Sequence, residues 1–149
     1  MRISIFINYI VFFILSLNSV FSQTNFETLN FESLEGDIGT RAISCMVKDH
    51  KGIVWIGTQG NGLSSFNGHE LKNYKHIWDD NKTIDNSAIN IIYLDRSNDL
   101  WVGTEEGLNL YNRNLDQFTH IPLNELNSKI QIKAINETED NSLLIGTHG

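Results

Sequence analysis

Trp78, Asp79 and Asp80 stand together in a polar stretch of the chain, residues 75–82. An indole ring can stack on the apolar face of a sugar, and neighbouring carboxylates can accept hydrogen bonds from the sugar hydroxyls. These three residues are therefore candidates for ligand binding. The alternative is an ordinary loop in which the ring packs on a solvated turn, and the sequence favours that alternative.

Four further polar residues are candidates by position alone. Each follows a short apolar run that ends in Gly-Thr, so we expect all four at the same end of their strands: Gln59, Asn61, Glu105 and Glu106. Paired carboxylates in glycosidases lie about 5 to 10 Å apart, whereas adjacent residues of a strand point to opposite faces. Glu105 and Glu106 are therefore a poor acid/base pair, and solvated turn residues are the default interpretation of all four.

The sequence gives little support for a metal site or a catalytic nucleophile. The five histidines fall singly, and Cys45 is the single cysteine of the chain. A structural zinc site needs several Cys and His residues at short spacing. We predict no metal site, no cofactor and no catalytic residue. Because Cys45 lies inside an apolar run, we expect a free thiol in the core.

Composition narrows the class of protein. The chain has 149 residues, 40% of them hydrophobic, which suits a single folded domain or part of one. Its 11 Lys and Arg against 18 Asp and Glu give a formal net charge of −7. Because nucleic-acid binders need a basic surface, the sequence argues against a nucleic-acid partner.

The first 22 residues read as an export signal. Arg2 is the only charge before Glu27, and residues 3–21 are mostly apolar, as in a signal peptide with its short basic start and hydrophobic centre. Cleavage would leave Gln23 as the first residue of an exported, periplasmic chain. An uncleaved anchor is the alternative, because the apolar stretch approaches the roughly 18 to 20 residues that span a bilayer.

An internal repeat determines the architecture that must position the candidate residues. The segment 49–58, DHKGIVWIGT, recurs as 95–104, DRSNDLWVGT, about 46 residues later, and more weakly as 140–147, DNSLLIGT. The recurring positions are Asp49, Gly52, Trp55 and Gly57, then Asp95, Trp101 and Gly103, and finally Gly146. A period of forty-odd residues is typical of propeller blades.

Each period divides into short apolar runs separated by Gly, Asn and Asp, which predicts four antiparallel strands. In the first copy we expect strands near 42–48, 53–58, 63–67 and 71–75. Trp55 and Trp101 should pack between blades, and a Cβ at Gly57 or Gly103 should collide with the next blade. The sequence thus predicts an all-β propeller with blade-like repeats near 42–75, 88–121 and 130–149, the last one truncated.

The residues of this pattern resemble a known family. Segments 43–63 and 89–108 closely match the string Ile-x-x-(Ile/Met)-x-x-Asp-x-x-Gly-x-x-Trp-(Ile/Val)-Gly-Thr-x-x-Gly-Leu, and Asn98 replaces the turn glycine in the second copy. This string resembles the two-component regulator propeller repeat of Bacteroidetes-type hybrid sensor histidine kinases. The third copy departs further, with Leu144 in place of tryptophan. The resemblance implies an extracytoplasmic sensor propeller that binds a ligand, often an oligosaccharide.

Several expectations follow from the resemblance and from the number of blades. Residues 23–149 supply slightly under three blades, while propellers have about four to eight, so we expect an incomplete ring that is an N-terminal fragment. Its partners would be the remaining blades of a parent protein or a second copy, with the membrane reached only through further C-terminal regions. The chain itself should have no phosphotransfer activity. A freestanding secreted propeller that binds carbohydrate or protein is the alternative function.

Overall fold

The computed structural model describes residue 38 and residues 42–123 and 129–148. Within these residues the regular elements are ten β-strands. The predicted signal peptide, residues 1–22, lies outside the described part of the chain. No helix among the described residues has the length and apolarity needed to cross a membrane.

The strands form two complete blades and part of a third. The first blade is an antiparallel sheet in the order β1-β2-β3-β4, with the strands Ile43–Lys48, Val54–Thr58, Leu63–Phe66 and Leu71–Tyr74. The second repeats this order with β5 to β8, Ile89–Leu94, Leu100–Thr104, Leu108–Asn112 and Gln117–Ile121. The third pairs β9 with β10, Gln131–Glu137 with Leu143–His148. The predicted all-β fold of four-stranded blades is confirmed.

The turn between the first two strands of each blade is built on one side chain. Asp49 Oδ1 accepts hydrogen bonds from the amides of Lys51 and Ile53 at 2.9 and 3.0 Å, and its Oδ2 accepts one from the Trp55 indole at 3.2 Å. Asp95 holds the amide of Asp99 and the indole of Trp101 in the same way. The repeated Asp and Trp therefore define the turn as well as the core.

The structure also settles the register of the third copy. Thr138 occupies the position of the turn aspartate in the first two copies. Its amide donates to the Ser142 carbonyl and its carbonyl accepts from the Asn141 amide, as the amide and carbonyl of Asp49 do with Ile53 and Gly52. Asn141 has a φ of 64°, as Asn98 has, and Gly52 has one of 84°. Asparagine tolerates this left-handed conformation better than most residues, so the turn forms without its glycine.

Close approach of neighbouring blades explains the repeated glycine. A Cβ on Gly57 would lie 2.6 Å from Cys45 Sγ and 2.7 Å from Cγ2 of Ile89 in the second blade. A Cβ on Gly103 would lie 2.6 Å from Cγ2 of Ile132 in the third blade. Any side chain larger than hydrogen would therefore push the blades apart.

Two apolar clusters fill the spaces between blades. The first joins blades one and two through Trp55, whose ring centroid lies 4.9 Å from that of Tyr111, and Cys45 packs against its edge. Burial raises the pKa of the Cys45 thiol, although hydrogen bonds with Ser44 and backbone groups oppose the rise. The second cluster joins blades two and three around the fully buried Ile132. The two clusters that join neighbouring blades are thus mainly apolar.

An ion pair fastens the turn ends of the first two blades. Arg113, in the β7–β8 turn, donates to Asp49 Oδ2 at 2.7 Å and to the Asn98 carbonyl at 3.2 Å. The Asp49 side chain is fully buried. Burial alone would raise the pKa of Asp49, but the hydrogen bonds from Trp55, Arg113 and the turn amides outweigh it and lower the pKa. The carboxylate is therefore charged and structural.

Candidate functional site

The candidate ligand-binding residues lie at one end of the blades. Because neighbouring strands are antiparallel, the loops after β2, β4 and β6 all emerge at the end where β1 and β5 begin. We call this end the connector face and define it by residues 59–62, 75–88 and 105–107. The Asp49 and Asp95 turns occupy the opposite end.

Trp78 projects from a tight turn within the connector between the first two blades. The turn is closed by the Asp80 amide, which donates to the Ile77 carbonyl at 3.2 Å, and Asp79 has a φ of 64°. The Trp78 side chain is 80% exposed and touches the His76 ring edge-on, with centroids 5.3 Å apart. One face of the indole is therefore accessible for stacking.

The two carboxylates of this turn differ in their surroundings. Asp80 Oδ1 accepts the Lys82 amide at 3.0 Å, so this oxygen stabilises the connector. The positive φ of Asp79 suits a residue type that tolerates the left-handed region. Asp79 is exposed beside Trp78, which leaves it accessible to a ligand that stacks on the indole.

A cleft of about 170 Å³ lies beside the Trp78 turn. It separates the outer strand of the first blade from the second blade, and the connector forms one wall. Its lining combines basic, hydroxyl and apolar groups: Asn73, Tyr74, Lys75, Ile77, Lys82, Thr83, Asp116 and Phe118. Such a mixture offers both donors and an aromatic surface to a polar ligand.

Two tyrosines and one aspartate form a cluster beside this cleft, and two of them, Tyr74 and Asp116, line it. The hydroxyls of Tyr74 and Tyr111 both donate to Asp116 Oδ1, at 2.8 and 2.7 Å, and Lys72 pairs with the other carboxylate oxygen. Burial raises the pKa of both tyrosines, most strongly for Tyr111. Burial would also raise the pKa of Asp116, but the bonds from Lys72 and the tyrosines lower it. Asp116 thus stays charged.

Gln59 and Glu105 both pair with Ala88 at the junction of the first two blades. Gln59 is the bridge partner of Ala88, and the Glu105 amide donates to the Ala88 carbonyl at 3.2 Å. Glu105 also accepts a 2.5 Å bond from the amide of Gln131 in the third blade. Both predicted residues therefore adjoin Ala88, and Glu105 also helps to join the second and third blades.

Asn61 and Glu106 serve mainly to hold chain segments in place. The Asn61 side chain donates to the Ile38 carbonyl, and its amide donates to Thr58 Oγ1 at 3.1 Å. Glu106 pairs with Lys129 at 2.7 Å. The seven predicted residues thus form two groups on the connector face, one at the Trp78 turn and one at the blade junctions. Ligand binding by any of them stays a prediction.

A buried polar network at the same face was not expected from the sequence. Asp85 Oδ1 accepts from Thr104 Oγ1 at 2.6 Å and from Asn109 Nδ2 at 2.8 Å, and Asn109 is fully buried. The network ties the connector to β6 and β7. The connector that carries Asp85 lies outside the clearest repeat blocks. The one sequence signal for this network is Asn109, a polar residue between the apolar residues Leu108 and Leu110 of β7.

Among residues 42–123 and 129–148, no three His, Cys, Asp or Glu side chains lie close enough together to hold a metal ion. The polar groups of the connector face are instead paired with one another or exposed to solvent. Stacking and hydrogen bonding are the chemistry that these residues can supply.

Comparison with known proteins identifies the repeat. Residues 37–60 and 83–106 each match the family model described as two component regulator propeller. Each match covers the first two strands of a blade and the Asp turn between them. The chain therefore carries two copies of the two-component regulator propeller repeat, and the resemblance noted in the sequence is confirmed.

Relatives with known names point in the same direction. The chain is 32% identical over 66 residues to a histidine kinase of Formosa agariphila, of which it spans 5%. The fold is similar to extracellular domains assigned to hybrid two-component systems of B. thetaiotaomicron, with TM-scores of 0.60 and 0.66 at 25% and 23% identity. These matches cover 80% of this chain and 15% and 16% of the solved chains. The propeller fold is thereby confirmed.

Proposed function

We propose that this chain, which carries two two-component regulator propeller repeats, is part of the extracytoplasmic sensor region of a two-component receptor. The single observation that supports this most is the match of one segment in each of the two complete blades, residues 37–60 and 83–106, to that repeat family. The named relatives agree, since they are a histidine kinase and extracellular domains of hybrid two-component systems. On this proposal the chain is exported and lies on the periplasmic side of the inner membrane.

The ligand that the connector face suits best is an oligosaccharide. Trp78 offers an exposed ring for stacking, and Asp79 can accept hydrogen bonds from sugar hydroxyls beside it. The adjacent cleft adds Lys82 as a donor. Aromatic and hydrogen-bonding groups together match a ligand with one apolar face and a polar rim.

A binding titration tests the ligand class. The full chain is titrated with a panel of neutral and acidic oligosaccharides, and tryptophan fluorescence is recorded. At least one member should quench fluorescence, and Trp78→Ala should weaken its binding about tenfold or more, which corresponds to about 1.4 kcal/mol. Leu115→Ala is the matched control, because Leu115 is 65% exposed on a turn at the other end of the blades.

Two results would contradict the proposal at this site. One is the absence of binding by every oligosaccharide in the panel. The other is equal affinity in the wild type and Trp78→Ala, which would move the ligand elsewhere on the connector face. In the second case the same titration of Glu105→Gln tests whether the ligand binds to the predicted residues at the blade junctions.

A genetic test distinguishes a receptor from a freestanding secreted propeller. Transcripts are compared, with and without the gene, in the bacterium that carries it during growth on each oligosaccharide. A receptor requires the loss of at least one induced response, because binding must shift the equilibrium between two states of the whole protein. Unchanged transcripts with retained sugar binding would favour the freestanding carbohydrate-binding propeller.

A further inference from the structure

The cleft of the connector face is lined in part by polar groups that are already bonded within the protein. Asn73 Oδ1 accepts a hydrogen bond from the Ser64 hydroxyl at 2.6 Å. The Thr83 hydroxyl donates to the Asp80 carbonyl at 3.0 Å and accepts from the Ile77 amide at 3.1 Å. These groups stabilise the walls of the cleft, so recognition of a ligand depends on the other lining residues.

The one carboxylate among the lining residues is neutralised. Asp116 pairs with Lys72 through one oxygen, and its other oxygen accepts the hydroxyls of Tyr74 and Tyr111. Hydrogen bonds to a charged group are stronger than those between neutral groups, so this arrangement is firmly held. Asp116 therefore does not cancel the positive charge that other residues bring to the cleft.

Two lysines bring that positive charge. Lys75 and Lys82 both line the cleft and are exposed. Among residues 42–123 and 129–148, no ion pair includes either of them. The carboxylates of the neighbouring turn, Asp79 and Asp80, are not among the residues that line the cleft. The cleft therefore presents two ammonium groups whose charge no described residue neutralises.

Backbone hydrogen bonds fix the positions of both lysines. Lys75 directly follows β4, and the amide of the next residue, His76, donates to Ser87 Oγ at 3.0 Å. The Lys82 amide donates to Asp80 Oδ1 at 3.0 Å, and its carbonyl accepts an amide of β8 at 2.8 Å. The connector therefore brings two cations from either side of its turn to the same cleft.

We propose that this cleft binds the anionic group of an acidic oligosaccharide, a carboxylate or a sulfate ester, between Lys75 and Lys82. The inference rests on the proposed function, because it extends the sugar site at Trp78. Ile77 precedes Trp78 in the chain and lines the cleft, so one sugar ring can stack on the indole while the next ring reaches the cleft. Asp79 accepts hydroxyl groups of the ligand, and the two lysines bind its negative charge.

The overall charge of the chain makes these two lysines decisive. The formal net charge is −7, so an anionic sugar is repelled by the chain as a whole and attracted only where cations are close. At physiological ionic strength, salt screens charges that are more than about 8 Å apart. Close contact with the two ammonium groups is then the main electrostatic interaction, and an acidic sugar should bind more tightly than its neutral analogue.

Matched pairs of oligosaccharides test the proposal on the full chain. The members of a pair share their sugar rings and linkages and differ only in the anionic groups. Oligogalacturonates with their methyl esters represent carboxylates, and sulfated galactan fragments with their desulfated forms represent sulfate esters. In a tryptophan fluorescence titration, at least one acidic member should bind about tenfold or more tightly than its neutral partner. The pair that shows this preference identifies the anionic group.

Lysine variants then locate the anionic group. Lys75→Gln and Lys82→Gln should each weaken binding of the acidic sugar about five- to tenfold and leave its neutral partner nearly unaffected. Lys51→Gln is the matched control, because Lys51 is an exposed lysine of the Asp49 turn at the opposite end of the blade. Raising the salt concentration from about 0.1 M to about 1 M, which shortens the Debye length from about 10 Å to about 3 Å, should reduce the preference of the wild type for the acidic sugar.

The outcomes separate this inference from the proposed function. Equal binding of acidic and neutral sugars, weakened by Trp78→Ala but by neither lysine variant, would overturn the inference and leave the proposed function standing. An acidic sugar that the lysine variants weaken and Trp78→Ala does not would contradict a ligand that occupies the indole and the cleft together. An equal loss in Lys51→Gln would show an effect of net charge alone, which also contradicts the inference. No binding by any sugar overturns both proposals.

Acetylation of the wild-type chain tests the contact even if a variant fails to fold. Acetic anhydride modifies exposed lysines, and mass spectrometry measures the rate at each position. The acidic sugar should slow the acetylation of Lys75 and Lys82 several-fold and leave Lys51 unchanged, whereas its neutral partner should protect neither cleft lysine to this extent. Unchanged rates at Lys75 and Lys82 with the acidic sugar bound would refute the contact.

Discussion

A methyl group added at Gly103 should destabilise the chain, whereas the same methyl at Gly146 should have little effect. The new Cβ at Gly103 would lie 2.6 Å from Cγ2 of Ile132 and 2.6 Å from Cγ2 of Ile91. Carbon atoms in contact prefer about 3.5 to 4.0 Å. Both isoleucines are β-branched and stiff at χ1, so neither can turn away easily. The third blade would have to move outward.

The expected magnitude is the difference between two opposing effects. Overpacking a core costs about 1 to 3 kcal/mol. Replacing glycine with alanine also reduces the entropy of the unfolded chain, which stabilises by about 0.4 to 1 kcal/mol. We therefore expect Gly103→Ala to lower the free energy of unfolding by roughly 1 to 2 kcal/mol. Gly146→Ala should change it by less than about 0.5 kcal/mol, because its Cβ would meet only Ala134, at 3.2 Å.

Urea unfolding, followed by circular dichroism, measures both changes. All variants are compared at one protein concentration, because self-association would otherwise add to the apparent stability. Ile132→Ala should cost less in the Gly103→Ala background than in the wild type, since it removes one of the clashing methyl groups. Equal effects of the two glycine substitutions, or no coupling with Ile132, would refute the account of the blade junction.

Four further predictions follow from the charged and titratable groups. Arg113→Ala removes the cation from the buried Asp49, and we expect urea denaturation to show a loss of about 2 to 3 kcal/mol. The pKa of Asp49 is lowered in the folded chain, so its carboxylate stabilises the fold above a pH of about 4, and this stabilisation is lost as the pH falls further. Asp49→Asn should therefore make the free energy of unfolding less dependent on pH in the acidic range. Tyr74 and Tyr111 should ionise above the ordinary phenol pKa of about 10 in an absorbance titration, and Tyr111→Phe should remove one late step. The Cys45 thiol should be alkylated more slowly in the folded chain than in urea at about pH 8.5, because burial raises its pKa.

The strands and their turns could be predicted from the sequence because their signals are local. A short apolar run such as 43–48 and a left-handed turn residue at Gly52 each depend on residues close in the chain. The glycine in Trp-Ile-Gly-Thr predicts close approach because a glycine within a strand has few other uses. Because the pattern occurs in three copies, each copy supports the same prediction of strands and turns.

The polar contacts between blades could not be predicted in this way. Arg113 and Asp49 are 64 positions apart in the sequence, and the equivalent first-blade turn, residues 67–70, has no arginine. Asp116 accepts hydrogen bonds from two tyrosine hydroxyls that belong to different blades. A pattern that repeats within each blade contains no signal for such contacts, because each occurs only once among the described residues.

The geometry of the connector explains why a ligand at Trp78 could affect more than its own loop. The Lys82 carbonyl accepts the Phe118 amide at 2.8 Å, and the Thr83 carbonyl bonds to the His120 ring at 2.7 Å. Both partners belong to β8, the outer strand of the second blade. A ligand that shifts the Trp78 turn must therefore move β8 or break these bonds. Such coupling between the Trp78 turn and the sheet is what a receptor needs in order to prefer one arrangement of its blades when the ligand is bound.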